Sequence, residues 1–373
     1  MRVLYVSKAM IVSAHRDKLR ALAGRVELDA VVPERWGPQR AAARDDEPWL
    51  RTAAARGHGH NHTHLYRGAG RLVRRDAIDL VHIDEEPYSA VTAQLARHCR
   101  NGRVPFVFFA WQNLPKRIPG PFRALRRYVF SRAAGAIAGT ASAADVLRAW
   151  GYEGALAVIP QMGVDTGRFH ADPEARAAIR RRIGARETDF VIGFGGRLVR
   201  EKGVHLLLEA VAGMDGARTL LMGDGPERTA LERAAARSGA ADRIHFAGAI
   251  ASDEMPRWLA ACDVLALPSL TTNAWAEQFG RVLVEAMACD VTVIGSDSGE
   301  IPRVIGDAGR VVPEGDVAAL RATLSRLAAS PAERAELAAR GRRRVIERYT
   351  NEHIVDRTVA FYREVLSNGG APA

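Results

Sequence analysis

Two glutamates lie eight residues apart in the stretch AEQFGRVLVEAMACD, where Glu277 precedes and Glu285 follows the pair Phe279-Gly280. Residues 281–288 have helical spacing with an apolar face, so Phe279 and Gly280 stand at a helix N-terminus. Amides at such an end lack partners inside the helix and can bind sugar hydroxyls or phosphate oxygens. Glu277 could accept hydrogen bonds from a sugar, while Glu285, about one and a half turns inside, could bind the two hydroxyls of a ribose. Both could also be solvated charges, although apolar residues flank Glu285 on both sides.

A second stretch, FGGRLVREKGVHLLLEAV, carries Arg197 and Lys202 between a strand that ends at Gly196 and a following helix. Glycine lets the backbone approach a ligand closely. Two cations beside a helix start suit a phosphate or a diphosphate. The stretch fits neither the GxxxxGK[ST] nor the GxGxxG pattern, and a surface turn with two cations explains it equally well.

A third strand-to-helix turn, MGDGPERTAL, carries Gly223 at the end of an apolar run. Its backbone could line a nucleotide, and Asp224 or Glu227 could contact the ribose or the base. On its own, the turn is as often a plain connection.

These residues need a scaffold, and short apolar runs that alternate with longer helical stretches supply one. The runs are continuously apolar, which is typical of parallel strands covered on both faces. The predicted strands are 2–7, 26–32, 78–84, 104–110, 135–140, 156–161, 190–196, 219–224, 243–248, 264–269 and 291–297. The predicted helices include 204–213, 226–238, 317–329 and 351–367. Two successive arrays of this kind predict an α/β protein with two Rossmann-like, doubly wound parallel sheets.

The length of 373 residues suits two domains, at roughly 100–200 residues each. We place the boundary in the polar, turn-rich stretch 163–185, which gives domains 1–168 and 169–350. Ligands bind open α/β sheets at the carboxyl ends of their strands, so the natural site is a cleft between the two sheets.

Charge is distributed unevenly along the chain, because residues 1–168 carry +11 and residues 169–373 carry −1. A basic half can indicate an anionic partner, but an arginine-rich surface explains it equally well. Three scattered cysteines without CxxC spacing favour a reducing cytoplasm and disfavour a disulfide framework or a zinc site. No apolar run approaches the ~18 residues of a membrane-spanning helix, and the first residues do not resemble a signal peptide.

Taken together, E-x-F-G-x-x-x-x-E, the preceding GGRLVREKG and MGDGPER and the following SDSGEIPRVI resemble the donor site of retaining glycosyltransferases of GT-B fold, family 4. The resemblance covers roughly residues 185–315, with the motifs in the family's order and spacing. It implies two Rossmann-like domains facing across a cleft, with the nucleotide sugar on the second domain and the acceptor on the first. It also implies that a C-terminal helix, within 351–373, crosses back to the first domain.

Carried over to this chain, the resemblance has Arg197 and Lys202 neutralise the diphosphate of a UDP- or GDP-linked sugar. Glu277, with the amides of Phe279 and Gly280, would hold the sugar. The other expected donor contacts are Gly196, Gly223, Val282, Leu283 and, on the ribose, Glu285.

The resemblance also implies a mechanism. Because two preorganised cations stabilise the leaving diphosphate, neither a metal nor another cofactor is required. Family members generally retain anomeric configuration, and the leaving phosphate takes the acceptor proton on the same face. This differs from the two-carboxylate scheme of glycoside hydrolases.

The N-terminal half departs from the family's usual pattern. Many members carry a glycine-rich loop after the first strand, but no glycine precedes Gly24 here, and Trp111 and Gln112 stand where many members have a histidine. HIDEEPYS places Glu85 and Glu86 at a strand end. The expected acceptor-side residues are Lys8, His15, Glu85, Trp111 and Gln112. The acceptor would be a small molecule, a saccharide or a lipid, and it could be anionic.

Four alternating histidines, His58, His60, His62 and His64, would share one face if GHGHNHTHL formed a strand. No acid or cysteine is near in the sequence, so we favour an acceptor-facing loop over a metal site.

The basic amphipathic stretch 116–135 could rest on an anionic membrane at its inner face. We favour the simpler interpretation, in which solvated arginines lie beside an apolar core face.

The leading hypothesis is therefore a cytoplasmic glycosyltransferase with no nucleic-acid partner. An epimerase or hydrolase of nucleotide sugars with a similar fold is one alternative, but it would not need E-x-F-G-x-x-x-x-E together with the two cations. A basic protein that binds nucleic acid or a membrane is the other, and its signal is only the charge of the first half, without aromatic stacking platforms.

Overall fold

Parallel sheets form the centre of each half of the chain. A computed structural model describes residues 1–42, 45–73 and 78–368, so the last residues of the predicted segment 351–373 lie outside the described part. Unit 1 runs from Met1 to Gly163 and includes the segment from Asn351 onward, and unit 2 runs from Val164 to Thr350.

The strands of unit 1 are named in chain order. They are β1 (Arg2–Val6), β2 (Glu27–Pro33), β3 (Arg35–Trp36), β4 (Gln39–Arg40), β5 (Leu50–Ala53), β6 (Ala55–Arg56), β7 (Leu65–Tyr66), β8 (Leu80–Ile83), β9 (Phe106–Ala110), β10 (Gly135–Ala138) and β11 (Leu156–Val158). Seven of them form one parallel sheet in the order β11-β10-β9-β8-β1-β2-β5. The short strands pair antiparallel, β3 with β4 and β6 with β7. Strand order reverses between β1 and β8, which makes that position the switch point of the sheet.

Helices cover both faces of this sheet. They are α1 (Asp17–Ala23), α2 (Ala69–Val73), α3 (Ala90–Gly102), α4 (Gly120–Phe130) and α5 (Ala141–Ala149). Alternate side chains of β1 enter two apolar clusters: Leu4 and Val6 pack with side chains of α3 and α5, and Val3 and Tyr5 pack with side chains of α1. Because both faces are buried, the strand sequences read as continuous apolar runs.

Unit 2 repeats the architecture with a six-stranded parallel sheet. Its strands are β12 (Phe190–Gly195), β13 (Ala217–Met222), β14 (Ile244–Gly248), β15 (Val264–Leu267), β16 (Thr292–Ser296) and β17 (Gly309–Val312). The order is β14-β13-β12-β15-β16-β17, so the switch point lies between β12 and β15.

The helices of unit 2 alternate with these strands and enclose one continuous apolar core. They are α6 (Pro173–Arg182), α7 (Val204–Ala212), α8 (Arg228–Arg237), α9 (Met255–Ala260), α10 (Arg281–Ala288), α11 (Ile301–Ile305), α12 (Val317–Ala329) and α13 (Pro331–Arg348). Short 3-10 turns lie at Ala9–Ile11, Ser13–His15, Arg200–Lys202 and Ala241–Arg243.

The last helix, α14 (Asn351–Ser367), belongs to unit 1 although it follows unit 2 in the chain. Ile354, Val359 and Tyr362 pack into the apolar cluster on the α1 side of the sheet. The hydroxyl of Tyr362 lies 2.5 Å from Nδ1 of His82 on β8, and both side chains are fully buried. Since an unpaired buried polar group is costly, this contact fixes α14 to the sheet.

The two doubly wound parallel sheets predicted from the sequence are confirmed, and each of the predicted strands is present with its ends shifted by a few residues. Two strands of the sheets, β5 and β17, were not predicted. Both lie at a sheet edge, and in both only the first and last residues are buried, so they lack the continuous apolar run that marks the other strands.

The four alternating histidines do not lie in a strand. Residues 57–64 form turns between the two-residue strands β6 and β7, so alternate positions do not share a face. Among the helices of the described ranges, none combines the length and the apolar composition needed to span a membrane.

Candidate functional site

The switch point of unit 2 brings two loops together. Gly196 directly follows β12, and the loop that it begins carries Arg197 and the turn Arg200–Lys202 before α7. The loop after β15 starts with Pro268 and Ser269 and reaches Glu277 shortly before α10. Because both loops leave carboxyl ends of adjacent parallel strands, they lie where open α/β sheets bind ligands.

An ion pair joins these two loops. Nζ of Lys202 lies 2.6 Å from Oε2 of Glu277, whose side chain is 8% exposed. The hydroxyl of Ser269 donates to the same oxygen at 2.9 Å, and the Glu277 amide donates to Oγ of Ser298 at 3.4 Å. The Lys202 ammonium also lies 5.2 Å from the ring centre of Trp275. Charge-assisted contacts of this kind fix the direction of both charged groups before any ligand arrives.

Gly203 makes the approach of the two loops possible. Its φ of +66° is left-handed, and a Cβ there would lie 1.8 Å from the carbonyl oxygen of Pro268, directly after β15. A side chain of any size would therefore push apart the loops that carry Lys202 and Glu277.

The loops after β12 and β13 are also in close backbone contact. The Gly196 amide donates to the Met222 carbonyl at 2.9 Å, and a Cβ on Gly223 would lie 1.8 Å from the Gly196 carbonyl oxygen. The two predicted donor-site glycines thus allow one loop to lie on the other. Arg197 extends from this platform with an exposed side chain, as does Asp224.

The residues around the start of α10 differ in how far they reach the surface. Gly280 precedes the helix, and the Leu283 amide donates to the Gly280 carbonyl at 2.8 Å. The Leu283 side chain is fully buried in the core, and Val282 packs against Gly195 at the end of β12. The ring of Phe279 meets that of Tyr349 edge-on at 5.6 Å. Packing therefore sets where this helix end lies relative to β12.

Glu285 forms an ion pair within α10. Its Oε1 lies 2.8 Å from Nε of Arg281, one turn earlier, and its side chain is 13% exposed. Burial raises the pKa of Glu285, while the charges of Arg281 and Arg168 oppose the rise. Glu285 is thus a mostly buried acid with a cationic neighbour, and not a solvated charge.

Unit 1 carries its own charged cluster at the switch point between β1 and β8. The Lys8 ammonium contacts the carboxylate of Glu85, and the Lys8 amide donates to Oε1 of Glu85 at 3.2 Å. Nε2 of the fully buried His64 lies 3.7 Å from the same oxygen. Burial raises the pKa of Glu85 to about 7 against the opposing charge of Lys8, and it lowers the pKa of His64 to about 4.

Glu86 binds the start of the loop after β9. Its Oε1 accepts hydrogen bonds from the amides of Trp111 at 2.7 Å and Gln112 at 3.0 Å. Its Oε2 is buried and has no hydrogen-bond partner within residues 1–42, 45–73 and 78–368. Burial raises the pKa of Glu86 to about 7. The indole N–H of Trp111 donates to Gln161 at 2.7 Å, which fixes the ring.

Four of the five predicted acceptor-side residues thus gather around the end of β8, namely Lys8, Glu85, Trp111 and Gln112. The fifth, His15, lies in the loop after β1 with its Nδ1 3.1 Å from the Ala9 carbonyl oxygen.

The histidine run contributes unequally to this region. His64 is buried and His62 lies against the ring of Tyr88 at 4.9 Å, while His58 and His60 are exposed. The described residues contain no group of three or more His, Cys, Asp or Glu side chains that could hold a metal ion.

The family follows from comparison with known proteins. The model of glycosyl transferases group 1 matches residues 175–344, and that of the glycosyl transferase 4-like domain matches residues 12–161. The 2-deoxystreptamine glucosyltransferase of Streptomyces kanamyceticus is 34% identical over 323 residues, which cover 79% of this chain and 80% of that protein. The chain belongs to the group 1 glycosyltransferases.

A second relative of this glycosyltransferase is a mannosyltransferase of Mycolicibacterium smegmatis, named as GDP-mannose-dependent alpha-(1-6)-phosphatidylinositol monomannoside mannosyltransferase. The two are 35% identical over 202 residues, so this chain spans about half the length of that relative, 52% of each being covered.

Solved structures show the GT-B fold for this glycosyltransferase. Sucrose-phosphate synthase from Thermosynechococcus elongatus matches with a TM-score of 0.75 and 19% identity, covering 99% of this chain and all of that chain. The Anabaena protein HepE, solved in complex with UDP, matches with a TM-score of 0.78 and 20% identity, covering 98% and 100%. At such identities the match supports the fold of the glycosyltransferase, and not its substrates.

Sequence reasoning passed over several residues that the structure brings into these sites. Ser269 and Ser298 hold Glu277, and Trp275 lies beside Lys202. Ser269 is a polar residue close to the carboxyl end of a buried strand, which is a visible signal, and Ser298 lies within the motif SDSGEIPRVI. The sequence identifies Glu86 as a strand-end acid, but its contacts with two backbone amides depend on folding and have no sequence signature.

Proposed function

We propose that this group 1 glycosyltransferase transfers a sugar from a UDP- or GDP-linked donor to its acceptor with retention of configuration and without a metal ion. The observation that carries the proposal is the Lys202–Glu277 ion pair at the switch point of unit 2, on the same platform as Arg197. The pair lies inside the segment that matches the family model.

The two cations would act on the leaving group. When the bond between the sugar's anomeric carbon and the diphosphate breaks, negative charge grows on the phosphate oxygen. Arg197 and Lys202 would stabilise that charge, and Lys202 is already oriented by Glu277 and Trp275. Cations that need no reorganisation during the reaction lower the barrier most effectively.

Glu277 would bind the transferred sugar. Its carboxylate is held by Lys202 and Ser269 through one oxygen, which leaves its plane fixed relative to the incoming sugar hydroxyls. A new bond forms between the anomeric carbon and the acceptor oxygen on the face from which the diphosphate departs. The acceptor proton passes to the departing phosphate, so the configuration is retained and no protein base is consumed.

The acceptor in this proposal is a small molecule, saccharide or lipid that meets the charged cluster at the end of β8. A cytoplasmic location, with or without contact to the inner membrane face, is part of the same proposal. It is supported by three free, buried cysteines, which suit a reducing compartment.

The test is a donor panel with product analysis. UDP-glucose and GDP-mannose are the first candidates, because relatives are named as glucosyltransferases and as GDP-mannose-dependent mannosyltransferases, and HepE was solved with UDP. Released nucleotide and product mass report transfer, and proton NMR of the product reports the anomeric configuration. Turnover should persist in excess EDTA. Inversion of configuration, or loss of turnover that Mg²⁺ or Mn²⁺ restores, would contradict the proposed mechanism.

A further inference from the structure

A cavity of about 490 Å³ opens beside α4 in unit 1. Its lining residues are Lys116, Arg117, Ile118, Arg123, Arg126 and Trp150. Lys116 and Arg117 lie in the segment before α4, and Arg123 and Arg126 lie one turn apart on the helix, so their side chains share a face. The cavity therefore combines four cations with an apolar wall of Ile118 and Trp150.

The cations of this cavity lack acidic partners. Throughout the described parts of the chain, no Asp or Glu lies within ion-pair distance of Lys116, Arg117, Arg123 or Arg126. Lys116, Arg117 and Arg123 are exposed, and Arg126 is half-buried. Like charges held close together repel one another, so the unpaired arrangement favours a bound anion.

Arg126 is held in place within this cavity. Its guanidinium lies 4.8 Å from the ring centre of Trp150 and 5.7 Å from that of Phe130, contacts that orient the planar group. Its Nε is buried and has no hydrogen-bond partner among residues of the described ranges. Burial, together with the charges of Arg127 and Arg123, lowers the pKa of Arg126. An anion in the cavity would relieve the repulsion between these cations.

We propose that this cavity binds a phosphate group carried by a small organic molecule or by a lipid headgroup. Arginine presents a planar fork of donors that matches phosphate oxygens, and lysine adds a mobile point charge. Ile118 and Trp150 offer surface for the carbon skeleton next to the phosphate. The cavity thus fits an organic phosphate better than a bare inorganic ion.

The position of the cavity connects it with the acceptor side of unit 1. Lys116 acts electrostatically on Glu86, next to the switch point, and the ring of Trp150 meets that of Tyr88 at 5.9 Å. If the function proposed above holds, the phosphate belongs to the acceptor, and only this assignment rests on that function. Binding of phosphate to the cavity does not depend on sugar transfer.

The test measures binding to the full-length protein without any donor. Isothermal titration calorimetry compares glycerol phosphate with glycerol, which lacks the anion. We expect binding of glycerol phosphate only. Arg126→Gln should weaken it by about tenfold or more, as expected for loss of a charged hydrogen bond. Lys116→Gln, at an exposed position outside the helix, should weaken it as well and guards against a folding defect of the Arg126 variant.

Arg127→Gln is the matched control, because Arg127 is an exposed arginine of the same helix that does not line the cavity. It makes the same change in net charge and should leave the affinity within about twofold. Equal losses in the Arg126 and Arg127 variants, or no binding of glycerol phosphate to the unmodified protein, overturn the proposal.

Vesicle flotation distinguishes the two sources of phosphate. Vesicles of phosphatidylcholine with phosphatidylglycerol are compared with vesicles of phosphatidylcholine alone. Binding to the anionic vesicles that Arg126→Gln weakens and Arg127→Gln does not identifies a lipid headgroup. Calorimetric binding of glycerol phosphate without vesicle binding identifies a soluble phosphate. If vesicle binding falls equally in both variants, the vesicles are attracted by the overall positive charge of the protein surface. That result rules out a lipid headgroup in the cavity.

Discussion

Glu277 and Glu285 differ in what their carboxylates contact, so their substitution should affect different kinetic constants. Glu277 shares a buried ion pair with Lys202, and Glu285 pairs with Arg281 inside α10. Glu277→Gln should lower kcat by about 10²–10³, as for loss of one transition-state contact. It should not weaken binding of a bare nucleoside diphosphate, because Lys202 loses its carboxylate partner and becomes more available to the phosphates. Glu285→Gln should mainly raise the donor KM.

Steady-state kinetics and calorimetry with the nucleoside diphosphate alone measure these effects. Glu254→Gln is a suitable control, because Glu254 is an exposed acid paired with Arg257 in the same unit. The assigned roles are wrong if Glu277→Gln weakens the bare nucleotide as much as Glu285→Gln does. Unchanged activity in both variants would contradict the proposed function itself.

Glu86 makes the stability of unit 1 depend on pH. Its pKa is raised from 4.5 to about 7 by burial, so the folded protein holds a proton there that the unfolded chain releases. The stability that protonated Glu86 contributes is fully present below pH ~4.5 and is lost as the pH rises through about 7. Glu86→Gln keeps an oxygen for the Trp111 and Gln112 amides and has no proton to lose. When the pH rises from ~5 to ~7.5, the free energy of unfolding of the variant should therefore increase by about 2 kcal/mol relative to that of the unmodified protein.

Urea unfolding at both pH values, followed by the fluorescence of unit 1 tryptophans, measures this difference. Parallel changes in the two proteins would show that Glu86 is ionised throughout the range. The sequence predicts that a carboxylate stands at this strand end, but the pKa depends on burial, which only the folded chain defines.

At the scale of elements, close contact between loops explains the glycines of the motifs that predict a donor site. Gly203→Ala would bring a Cβ within 1.8 Å of the Pro268 carbonyl oxygen, a backbone atom that cannot rotate away. Gly216 has a similar left-handed φ of +75° but nothing within 4 Å of the added Cβ. Gly216→Ala should cost about 1–2 kcal/mol for the backbone conformation alone. Gly203→Ala should cost clearly more and should lower kcat, because it separates Lys202 from Glu277.

Urea midpoints and steady-state kinetics of the two variants test this comparison. Equal losses of stability, with turnover unchanged in both, would mean that the loop contact does not position the ion pair. The sequence indicates that these positions need glycine. It does not show whether a ligand or a neighbouring loop approaches them, because either one requires a residue without a side chain.

Edge strands mark the limit of what the apolar pattern predicts. Interior strands such as β9 are buried along their whole length, and their sequences reveal them. β5 and β17 are covered only in part, with exposed or half-buried residues in the middle, so LRTA and GRVV do not differ from loop sequence. The hairpin of β6 and β7 cannot be predicted for another reason: two-residue strands are too short to show an alternation of apolar and polar residues.

At the scale of the whole molecule, neighbouring helices of the chain stabilise different units. Tyr362 on α14 pairs with His82 in unit 1, while Val345 on α13 lies in the core of unit 2. Tyr362→Phe leaves the buried His82 nitrogen without this partner and should cost about 1–3 kcal/mol. Val345→Ala leaves a cavity instead. Hydrogen exchange should rise in β1 and β8 for the first variant and in β12 and β13 for the second.

Exchange measured by mass spectrometry resolves these strands individually. Increased exchange in both units from either substitution would show that they unfold as one cooperative body. The assignment of α14 to unit 1 has no signal in the local sequence, where 351–367 shows only an amphipathic helix. The expectation that it crosses back came from resemblance to a family.

The ribosome completes the synthesis of unit 2 before it synthesises α14, the last helix of unit 1. Residues 164–350 are complete when Thr350 has emerged, whereas the face of the unit 1 sheet that α14 covers stays open until residues 351–367 have followed. Domains commonly mature in the order in which they are made. Here we expect unit 2 to fold before unit 1 is complete. Until α14 is synthesised, apolar surface of unit 1 stays exposed and can bind chaperones. Nascent chains stalled after residue 350 should accordingly resist protease in unit 2 and remain sensitive in unit 1.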